Sequence, residues 1–236
     1  MKHRLFFSKK IKVDKAYIIT VIGNQKSESL SRRCQGTCNL VEQTYEVWPA
    51  YDALSSNDII APAALVDDSF MNLLKITDHY MTRGEVACAL SHISLWLECA
   101  KQDQPIVILE HDAIMLKKFE EMESYNSIVY LGGREWANLG WEQMPIPPVS
   151  SEGPNYNFIC RAHAYAIDPP MAKNLLAHVL KMGISAPLDI MMRTDLFNVT
   201  HQGLYAYDKN NDLEETTILG RPTNGRTTKR NDSLTW

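Results

Sequence analysis

Pro105-Ile-Val-Ile-Leu109 is an unbroken apolar run that passes directly into Glu110-His111-Asp112. Such a run, bounded by polar residues, is typical of a strand buried on both faces in the middle of a sheet that helices cover. In open α/β sheets, ligands bind beyond the carboxyl ends of the strands. The three polar residues therefore stand where a functional site is expected.

The segments on either side of this run alternate between strand-like and helix-like patterns. Short β-branched or aromatic runs predict strands, whereas apolar residues spaced three and four apart predict helices. The alternation indicates an α/β fold of one domain, with helices packed on a mostly parallel central sheet. The predicted strands are Ala16–Ile22, Tyr45–Trp48, Pro105–Leu109, Ser127–Leu131 and Phe158–Ile167, and the predicted helices are Ser29–Gln43, Arg83–Ala100, Lys117–Glu123, Pro169–Met182 and Leu188–Phe197.

The composition is that of a globular chain. Its 236 residues are 45% hydrophobic and 22% charged, close to the average for folded domains. No apolar run reaches the roughly 18 residues that cross a bilayer, and the charged start is not followed by a signal-peptide core. The five scattered cysteines suit a reducing compartment. We therefore expect a cytoplasmic protein without a membrane span.

Charge is unevenly distributed along the chain. The net charge is −4, yet residues 1–15 carry six lysine and arginine side chains against one aspartate, and residues 221–236 carry four against one. These two basic tails on an acidic body are either solvated termini or a contact for a polyanion, such as nucleic acid or a phosphorylated glycolipid.

Glu110 and Asp112 are the first candidates for chemistry. Side chains at i and i+2 beyond a buried strand can converge on one divalent cation, because carboxylate oxygens suit hard ions such as Mn²⁺ and Mg²⁺. A cation that bridges two phosphates would neutralise a leaving diphosphate. The alternative is an acidic turn that only ends the strand.

A longer pattern surrounds these acids. The chain reads Gly84-Glu85-x-x-Cys88-x-x-Ser91-His92-x-x-x-Trp96 and, after the next strand, Glu110-His111-Asp112. The pattern resembles the signature of glycosyltransferase family 25, which includes bacterial lipooligosaccharide galactosyltransferases and collagen galactosyltransferases. The resemblance implies a GT-A fold, a nucleotide-sugar donor (usually a UDP-sugar), a divalent metal such as manganese, and inversion at the anomeric carbon. Weaker similarities extend it over roughly residues 16–220.

The resemblance also implies roles for the acidic residues. Asp112 is the implied metal ligand, and Glu110 supports it directly or through water. His111 departs from the family, in which most members have aspartate at that position. The departure puts the metal affinity and the donor preference in question.

Five further residues are candidates for contact with the donor. Glu85 and His92 are seven residues apart on the predicted helix and so share a face. Glu85 is alternatively a capping partner of Thr82, and His92 is alternatively a buried core residue. Arg32 or its neighbour Arg33 clamps diphosphate oxygens in one interpretation, because a guanidinium binds phosphate in bidentate fashion, and either is a surface charge in the other; Arg32 is the candidate we choose. The remaining two are glycines of the resembling pattern, Gly84 and Gly132.

Inverting transfer needs a base on the acceptor hydroxyl, opposite the departing diphosphate. Asp189 is the candidate, because Pro187-Leu188-Asp189 resembles the family's Pro-x-Asp and opens a predicted helix, whose N-terminal dipole favours a carboxylate. The alternative role of Asp189 is a helix N-cap. With Glu110, it completes the predicted catalytic pair.

The acceptor is a hydroxyl whose identity the residues leave open. A surface glycan such as lipooligosaccharide is the family's commonest bacterial case, a hydroxylated base in DNA is the alternative that the basic tails favour, and a protein is the third. An inactive relative that only binds nucleotide or glycan is a further alternative, motivated by His111. The chain has no Walker phosphate loop and no Gly-x-Gly-x-x-Gly, which argues against a kinase, an ATPase or a dinucleotide enzyme. The sequence does not indicate an oligomeric state.

Overall fold

The computed structural model describes residues 9–66, 68–78, 80–124, 127–132, 143–145 and 162–208. Within these ranges the chain forms strands and α-helices that alternate, as expected of an α/β fold. The strands are β1 (Lys9–Lys12), β2 (Ala16–Thr20), β3 (Tyr45–Pro49), β4 (Ile106–Glu110), β5 (Ala113–Met115), β6 (Glu121–Ser124), β7 (Ser127–Gly132), β8 (Gln143–Pro145), β9 (Ala164–Ile167) and β10 (Asn198–Asp208). The helices are α1 (Gln25–Leu40), α2 (Arg83–Gln102), α3 (Pro169–Met182) and α4 (Leu188–Met191).

One eight-stranded sheet forms the centre of the molecule. Its order is β3-β2-β4-β9-β7-β10-β5, with β8 paired to β10. β2 is parallel to β3 and β4, and β7 is parallel to β10. β9 is antiparallel to β4 and β7, and β5 and β8 are antiparallel to β10. The sheet is therefore mixed, and the expectation of a mostly parallel sheet is not met. Ala164–Ile167 is buried on both faces. Its apolar composition is therefore the same for a parallel and an antiparallel strand and could not predict the strand direction.

β4 lies inside this sheet and is buried on both faces, as the apolar run predicted. Ile106 and Ile108 pack in the core on the side of α2 and α3. Val107 and Leu109 pack in the second core, on the side of α1. Side chains of a strand alternate between the two faces of its sheet. When both faces are covered, every side chain of the strand is buried, so apolar residues are expected at every position. Glu110 is the first residue of β4 with a partly exposed side chain.

α2 confirms the helix predicted from the apolar spacing. It begins with a capping box, in which Thr82 Oγ1 accepts from the Glu85 N–H at 3.2 Å and Glu85 Oε2 accepts from the Thr82 N–H at 2.9 Å. These reciprocal bonds satisfy N–H groups that the start of a helix leaves without intrahelical partners. The helix ends at Asp103, whose backbone is left-handed at φ 54°.

Two predicted helices differ from the structure. The end of Lys117–Glu123 is part of β6, which pairs antiparallel with β1. Each strand has one apolar residue between two charged ones, in Lys10-Ile11-Lys12 and Glu121-Met122-Glu123, a two-residue period that favours a strand over a helix. The predicted helix Leu188–Phe197 ends already at Met191, because the backbone of Met192 leaves the helical region at φ −78° and ψ 71°.

The N-terminal basic segment is also partly structured. Lys10 of β1 lies 2.7 Å from Glu121 of β6, so this lysine is engaged in a surface ion pair. The C-terminal basic tail, most of the loop at 134–157 and the start of the strand predicted from residue 158 lie outside the described residues. Among the residues that are described, no helix combines the length and the apolar character needed to cross a membrane.

Candidate functional site

The predicted acidic motif follows β4 at the carboxyl end of that strand. The Glu110 N–H donates to the backbone oxygen of His163 at 2.9 Å, which fixes the last residue of β4 against the start of β9. The side chain of Glu110 is 27% exposed. His111 and Asp112 form the turn to β5 and are buried, each less than a tenth exposed. In this motif the carboxylate of Glu110 is therefore partly accessible to solvent, whereas the side chains of His111 and Asp112 are buried.

α2 contributes the residues that contact Glu110. His92 Nε2 lies 3.4 Å from Glu110 Oε1, and the Cys88 thiol lies 3.8 Å from the same oxygen. Cys88 and His92 are four residues apart and therefore lie on one face of the helix. Burial acts to raise the pKa of Glu110, but His92, and after it His111 and His163, outweigh burial and leave the pKa below its ordinary value.

His92 is held from its other side by Tyr165 of β9. His92 Nδ1 and the Tyr165 hydroxyl are 2.9 Å apart, and Trp96 Nε1 donates to the same hydroxyl at 2.9 Å. None of the three side chains is more than 1% exposed. His92 is thus a buried residue that touches Glu110, and it has no exposed surface with which to meet a substrate directly.

The predicted base, Asp189, belongs to the same region. Burial raises the pKa of the Cys88 thiol well above its usual range, and the charges of Glu110, Asp189 and Asp112 raise it further. All three predicted carboxylates are therefore close enough to one thiol to influence it. Asp189 is half-buried in the first turn of α4, whose N-cap is Pro187. The alternative role of Asp189 as a helix N-cap is therefore wrong.

His111, the departure from the family pattern, faces away from this group and toward α1. Its Nδ1 lies 3.3 Å from Ser27 Oγ, which also accepts from the Val21 N–H at 2.9 Å. Burial lowers the pKa of His111; Glu110 opposes this shift, and the positive charges of Lys26 and Arg33 add to it. Burial thus favours the neutral form of the imidazole, which belongs to the contact between β4 and the start of α1.

The predicted carboxylates have the donor chemistry of the divalent metal that the resemblance implies, and their binding of a metal stays a prediction. Glu110, Asp112 and Asp189 supply only oxygen atoms, which are the donors that Mn²⁺ and Mg²⁺ prefer. A different group, Cys88, His92 and Glu110, also has ligand-type atoms within 4.8 Å of one another. Its sulfur and nitrogen donors suit softer metals, so this second group does not match the metal that the resemblance implies.

The structure places Glu85 and Gly84 at the start of α2 and Arg32 on α1, and the contact of these residues with a donor stays a prediction. Glu85 is 7% exposed and forms the capping box with Thr82, which was the alternative interpretation. Gly84 is the second residue of α2, next to that cap. Arg32 has a side chain that is 67% exposed and lies 3.9 Å from Glu28 on the same helix, as in its interpretation as a surface charge.

Gly132 ends β7 beneath His163. A Cβ atom at this position would collide with the His163 ring and with the Tyr130 hydroxyl, which would lie 2.5 Å away. The absence of a side chain therefore permits close packing under the residue whose carbonyl holds Glu110. Gly132 is buried, so its contribution to the site is indirect.

Sequence reasoning gave no role to Cys88, Tyr165 or His163. Cys88 stands in the quoted pattern four residues before His92, and this spacing was the available signal for a shared face. Tyr165 and His163 reach the site only because β9 lies next to β4. No local pattern encodes that adjacency.

Comparison with known proteins finds similarity to a curated relative and to solved structures. The lipooligosaccharide biosynthesis protein lic2B of Haemophilus influenzae is 24% identical over 178 residues, which are 66% of this chain and 61% of the relative. The chain thus aligns with about three fifths of that relative's length. A crystal structure of a glycosyltransferase involved in the glycosylation of the major capsid of PBCV-1 covers 69% of this chain and 65% of that one, at 5% identity. Its TM-score of 0.31 is too low for the likeness to carry an argument.

A family profile gives the more decisive comparison. The profile described as "Glycosyltransferase family 25 (LPS biosynthesis protein)" matches residues 14–146. This range is more than half of the chain, and it contains the capping box and the site residues of α2 and β4. Tyr165 and Asp189 lie beyond it. On the strength of this match, the chain belongs to glycosyltransferase family 25.

Proposed function

We propose that the protein transfers a sugar from a nucleotide-sugar donor, a UDP-sugar, to a hydroxyl acceptor. The observation that carries the proposal is the group of carboxylates at the end of β4. Glu110 is partly exposed there, and Asp112 follows it in the turn to β5. Family membership supplies the class of reaction, and these carboxylates supply residues able to perform it.

In this proposal Glu110 and Asp112 hold a divalent cation, Mn²⁺ or Mg²⁺, through their oxygen atoms. The cation would neutralise the charge that develops on the departing diphosphate. The donor lies across the carboxyl ends of β2 and β4, as in a GT-A fold. The parallel pairing of β3, β2 and β4 supports this position, because ligands of such sheets bind at the carboxyl ends of parallel strands.

We assign the acceptor side to Asp189. Its carboxylate accepts the proton of the acceptor hydroxyl while the hydroxyl oxygen forms a bond to the anomeric carbon. The bond from that carbon to the diphosphate breaks on the opposite face, so the configuration inverts. The half-buried position of Asp189 near Cys88 supports this assignment, because it brings a second carboxylate into the region of Glu110 without placing it on the same strand.

A surface glycan such as lipooligosaccharide is the acceptor that the comparisons favour. The family description names lipopolysaccharide biosynthesis, and the Haemophilus influenzae relative is named for lipooligosaccharide biosynthesis.

Thermal unfolding with nucleotides tests the donor site. A ligand that binds only the folded state at about 100 times its dissociation constant stabilises it by about 2.7 kcal/mol. For a chain of this size, that is a rise of about 5–10 °C in melting temperature. We expect UDP with Mn²⁺ to produce such a rise in the wild type and not in Asp112→Asn.

Asp195→Asn is the matched control. It makes the same chemical change on the surface, where Asp195 is paired with Arg193 at 2.6 Å. The control should keep the full response to UDP and Mn²⁺. A response that survives in Asp112→Asn, or the absence of a response to every nucleoside diphosphate and nucleotide sugar tried, would contradict the proposed donor site.

A further inference from the structure

A line of hydrogen-bonding groups runs from the core to Glu110. Trp96 Nε1 and His92 Nδ1 each lie 2.9 Å from the Tyr165 hydroxyl. On the far side of the imidazole, His92 Nε2 lies 3.4 Å from Glu110 Oε1. The rings of His92 and Tyr165 are stacked, 5.7 Å apart and 12° from parallel. We name this line, from Trp96 through Tyr165 and His92 to Glu110, the Trp96–Glu110 relay.

Trp96 determines which atom donates and which accepts in each hydrogen bond of the Tyr165 hydroxyl. An indole N–H can only donate, so the Tyr165 oxygen accepts from Trp96. The single hydroxyl proton of Tyr165 then has His92 Nδ1 as its acceptor at 2.9 Å. If His92 instead carried a proton on Nδ1, the Tyr165 oxygen would accept from both Trp96 and His92. Neither of these residues could then accept the hydroxyl proton of Tyr165. A buried hydroxyl left in that state costs free energy.

The tautomer of His92 follows from this direction. If Nδ1 accepts, the proton of the neutral imidazole is on Nε2. The Nε2–H then faces Glu110 Oε1 at 3.4 Å, a distance longer than an ordinary hydrogen bond, so the interaction is electrostatic. In this tautomer, His92 and Cys88 both contact one oxygen of Glu110, and the Nε2 lone pair is not available to a metal.

The contacts of Glu110 are directed to one of its two oxygens. His92 and Cys88 both approach Oε1. The His92 ring is held in its plane by the Tyr165 stack, so it fixes Oε1 from the side of the core. Neither of these two side chains contacts Oε2, and we assign this second oxygen to the donor side. A side chain held at one oxygen in this way has few of its rotamers available.

We propose that Tyr165 and His92 are positioning residues, which fix the Nε2–H tautomer of the imidazole and thereby aim the Glu110 carboxylate at the donor. The proposal rests on the proposed function for the role of Glu110 and adds how that residue is oriented. It also assigns a purpose to His92 and Trp96 of the helix pattern and to Tyr165. Partners that orient a ligating or catalytic carboxylate typically contribute roughly 10- to 100-fold.

Nitrogen NMR of the histidine side chains tests the tautomer without reference to activity. In protein labelled with ¹⁵N-histidine, the His92 signals are assigned by their loss in His92→Gln. We expect an unprotonated Nδ1 and a protonated Nε2 in the wild type, and loss of this preference in Tyr165→Phe. A spectrum with the proton on Nδ1, or with protons on both nitrogens, would overturn the direction of the relay.

Kinetics test the positioning role. Tyr165→Phe keeps the ring and removes only the hydroxyl, and we expect kcat to fall roughly 10- to 100-fold with the KM for the donor little changed. His92→Gln, which retains an N–H donor, should keep more activity than His92→Leu. Tyr17→Phe is the control, because Tyr17 is equally buried and its hydroxyl contacts Gln102, outside the relay.

The proposed sugar transfer and the positioning role of Tyr165 and His92 are refuted by different results. If the wild type turns over no nucleotide sugar, the proposed function fails while the NMR result stands by itself. If the wild type is active and folded Tyr165→Phe has the kcat of Tyr17→Phe, the positioning role is overturned although the function holds. The positioning role is likewise overturned if His92→Leu matches His92→Gln in activity.

Discussion

Glu85 allows the sharpest test of a structural role against a catalytic one. Its carboxylate accepts from the Thr82 N–H at 2.9 Å, and its own N–H donates to Thr82 Oγ1 at 3.2 Å. Because glutamine also completes a capping box, Glu85→Gln keeps the cap and removes the charge. Glu85→Ala removes the charge and the carboxylate half of the cap, while the backbone N–H of residue 85 can still donate to Thr82 Oγ1. The two variants therefore separate the capping role from any role of the negative charge.

The structure gives the expected magnitudes. Loss of a hydrogen bond to a charged group costs about 1.5–3 kcal/mol. Since Glu85→Ala loses such a bond, we expect the free energy of unfolding to fall by about 2–3 kcal/mol, which is a drop of about 4–12 °C in melting temperature. Glu85→Gln should lose less than about 1 kcal/mol.

A double-mutant cycle with Thr82→Ala measures the coupling. The two residues share both bonds of the cap, so the double variant should lose less stability than the two single losses added together, by about 0.5 kcal/mol or more. The assay is urea or thermal unfolding, with kcat/KM determined on folded protein. Two results would refute the capping role: strict additivity in the cycle, or a Glu85→Gln variant of normal stability whose kcat/KM has fallen tenfold or more.

Three further perturbations test the fold around the site. Asp168 is fully buried and accepts from the N–H groups of Met171 and Ser127, so Asp168→Ala should lose about 2–4 kcal/mol in urea unfolding, and an equal loss in Asp168→Asn would contradict this role of the side-chain oxygen. Gly132→Ala should lose about 1–3 kcal/mol by overpacking. Gly36→Ala is the control and should not be destabilised, because a Cβ there meets nothing within 4 Å. Equal melting temperatures of the two variants would refute the close contact at Gly132. Burial lowers the pKa of His201, so the folded state binds fewer protons than the unfolded state and stability falls as pH drops from about 7.5 to about 5.5. His201→Gln should reduce the accompanying fall in melting temperature. If the fall is as large in His201→Gln as in the wild type, His201 is not its cause.

The parts of the fold that the sequence predicted are those with strong local patterns. The run at Ile106–Leu109 is apolar at every position because helices cover both faces of β4, and its burial could therefore be predicted. Pro169–Met182 was predicted with the same bounds, because proline at its start fits the first turn of a helix. The capping box of α2 could be predicted for a similar reason, since its two residues are only three positions apart.

The errors have a common physical cause. The direction of β9 depends on its neighbours β4 and β7, and nothing in Ala164–Ile167 records it. β1 and β6 are short and pair with each other over a distance of more than a hundred residues. Strand pairing of this kind is set by tertiary contacts, which a local pattern does not contain.

The candidate site divides in the same way. Glu110 and Asp112 could be predicted, because they follow the most apolar strand and stand in a family pattern. The contact of His92 with Tyr165 could not, because these residues are 73 positions apart and meet only through the adjacency of α2 and β9. Asp189 was predicted from the resemblance, and its influence on the Cys88 thiol is a property of the folded chain.

Turnover of nucleotide sugar by the full chain tests the central claim most directly. The wild type, Asp112→Asn and Asp195→Asn are incubated with UDP-sugars, Mn²⁺ and a truncated lipooligosaccharide acceptor, and the mass of the acceptor is followed. We expect the acceptor to gain one sugar with the wild type and with Asp195→Asn, and to gain none with folded Asp112→Asn. Transfer by Asp112→Asn at the wild-type rate would contradict the claim that the carboxylates at the end of β4 form the donor site.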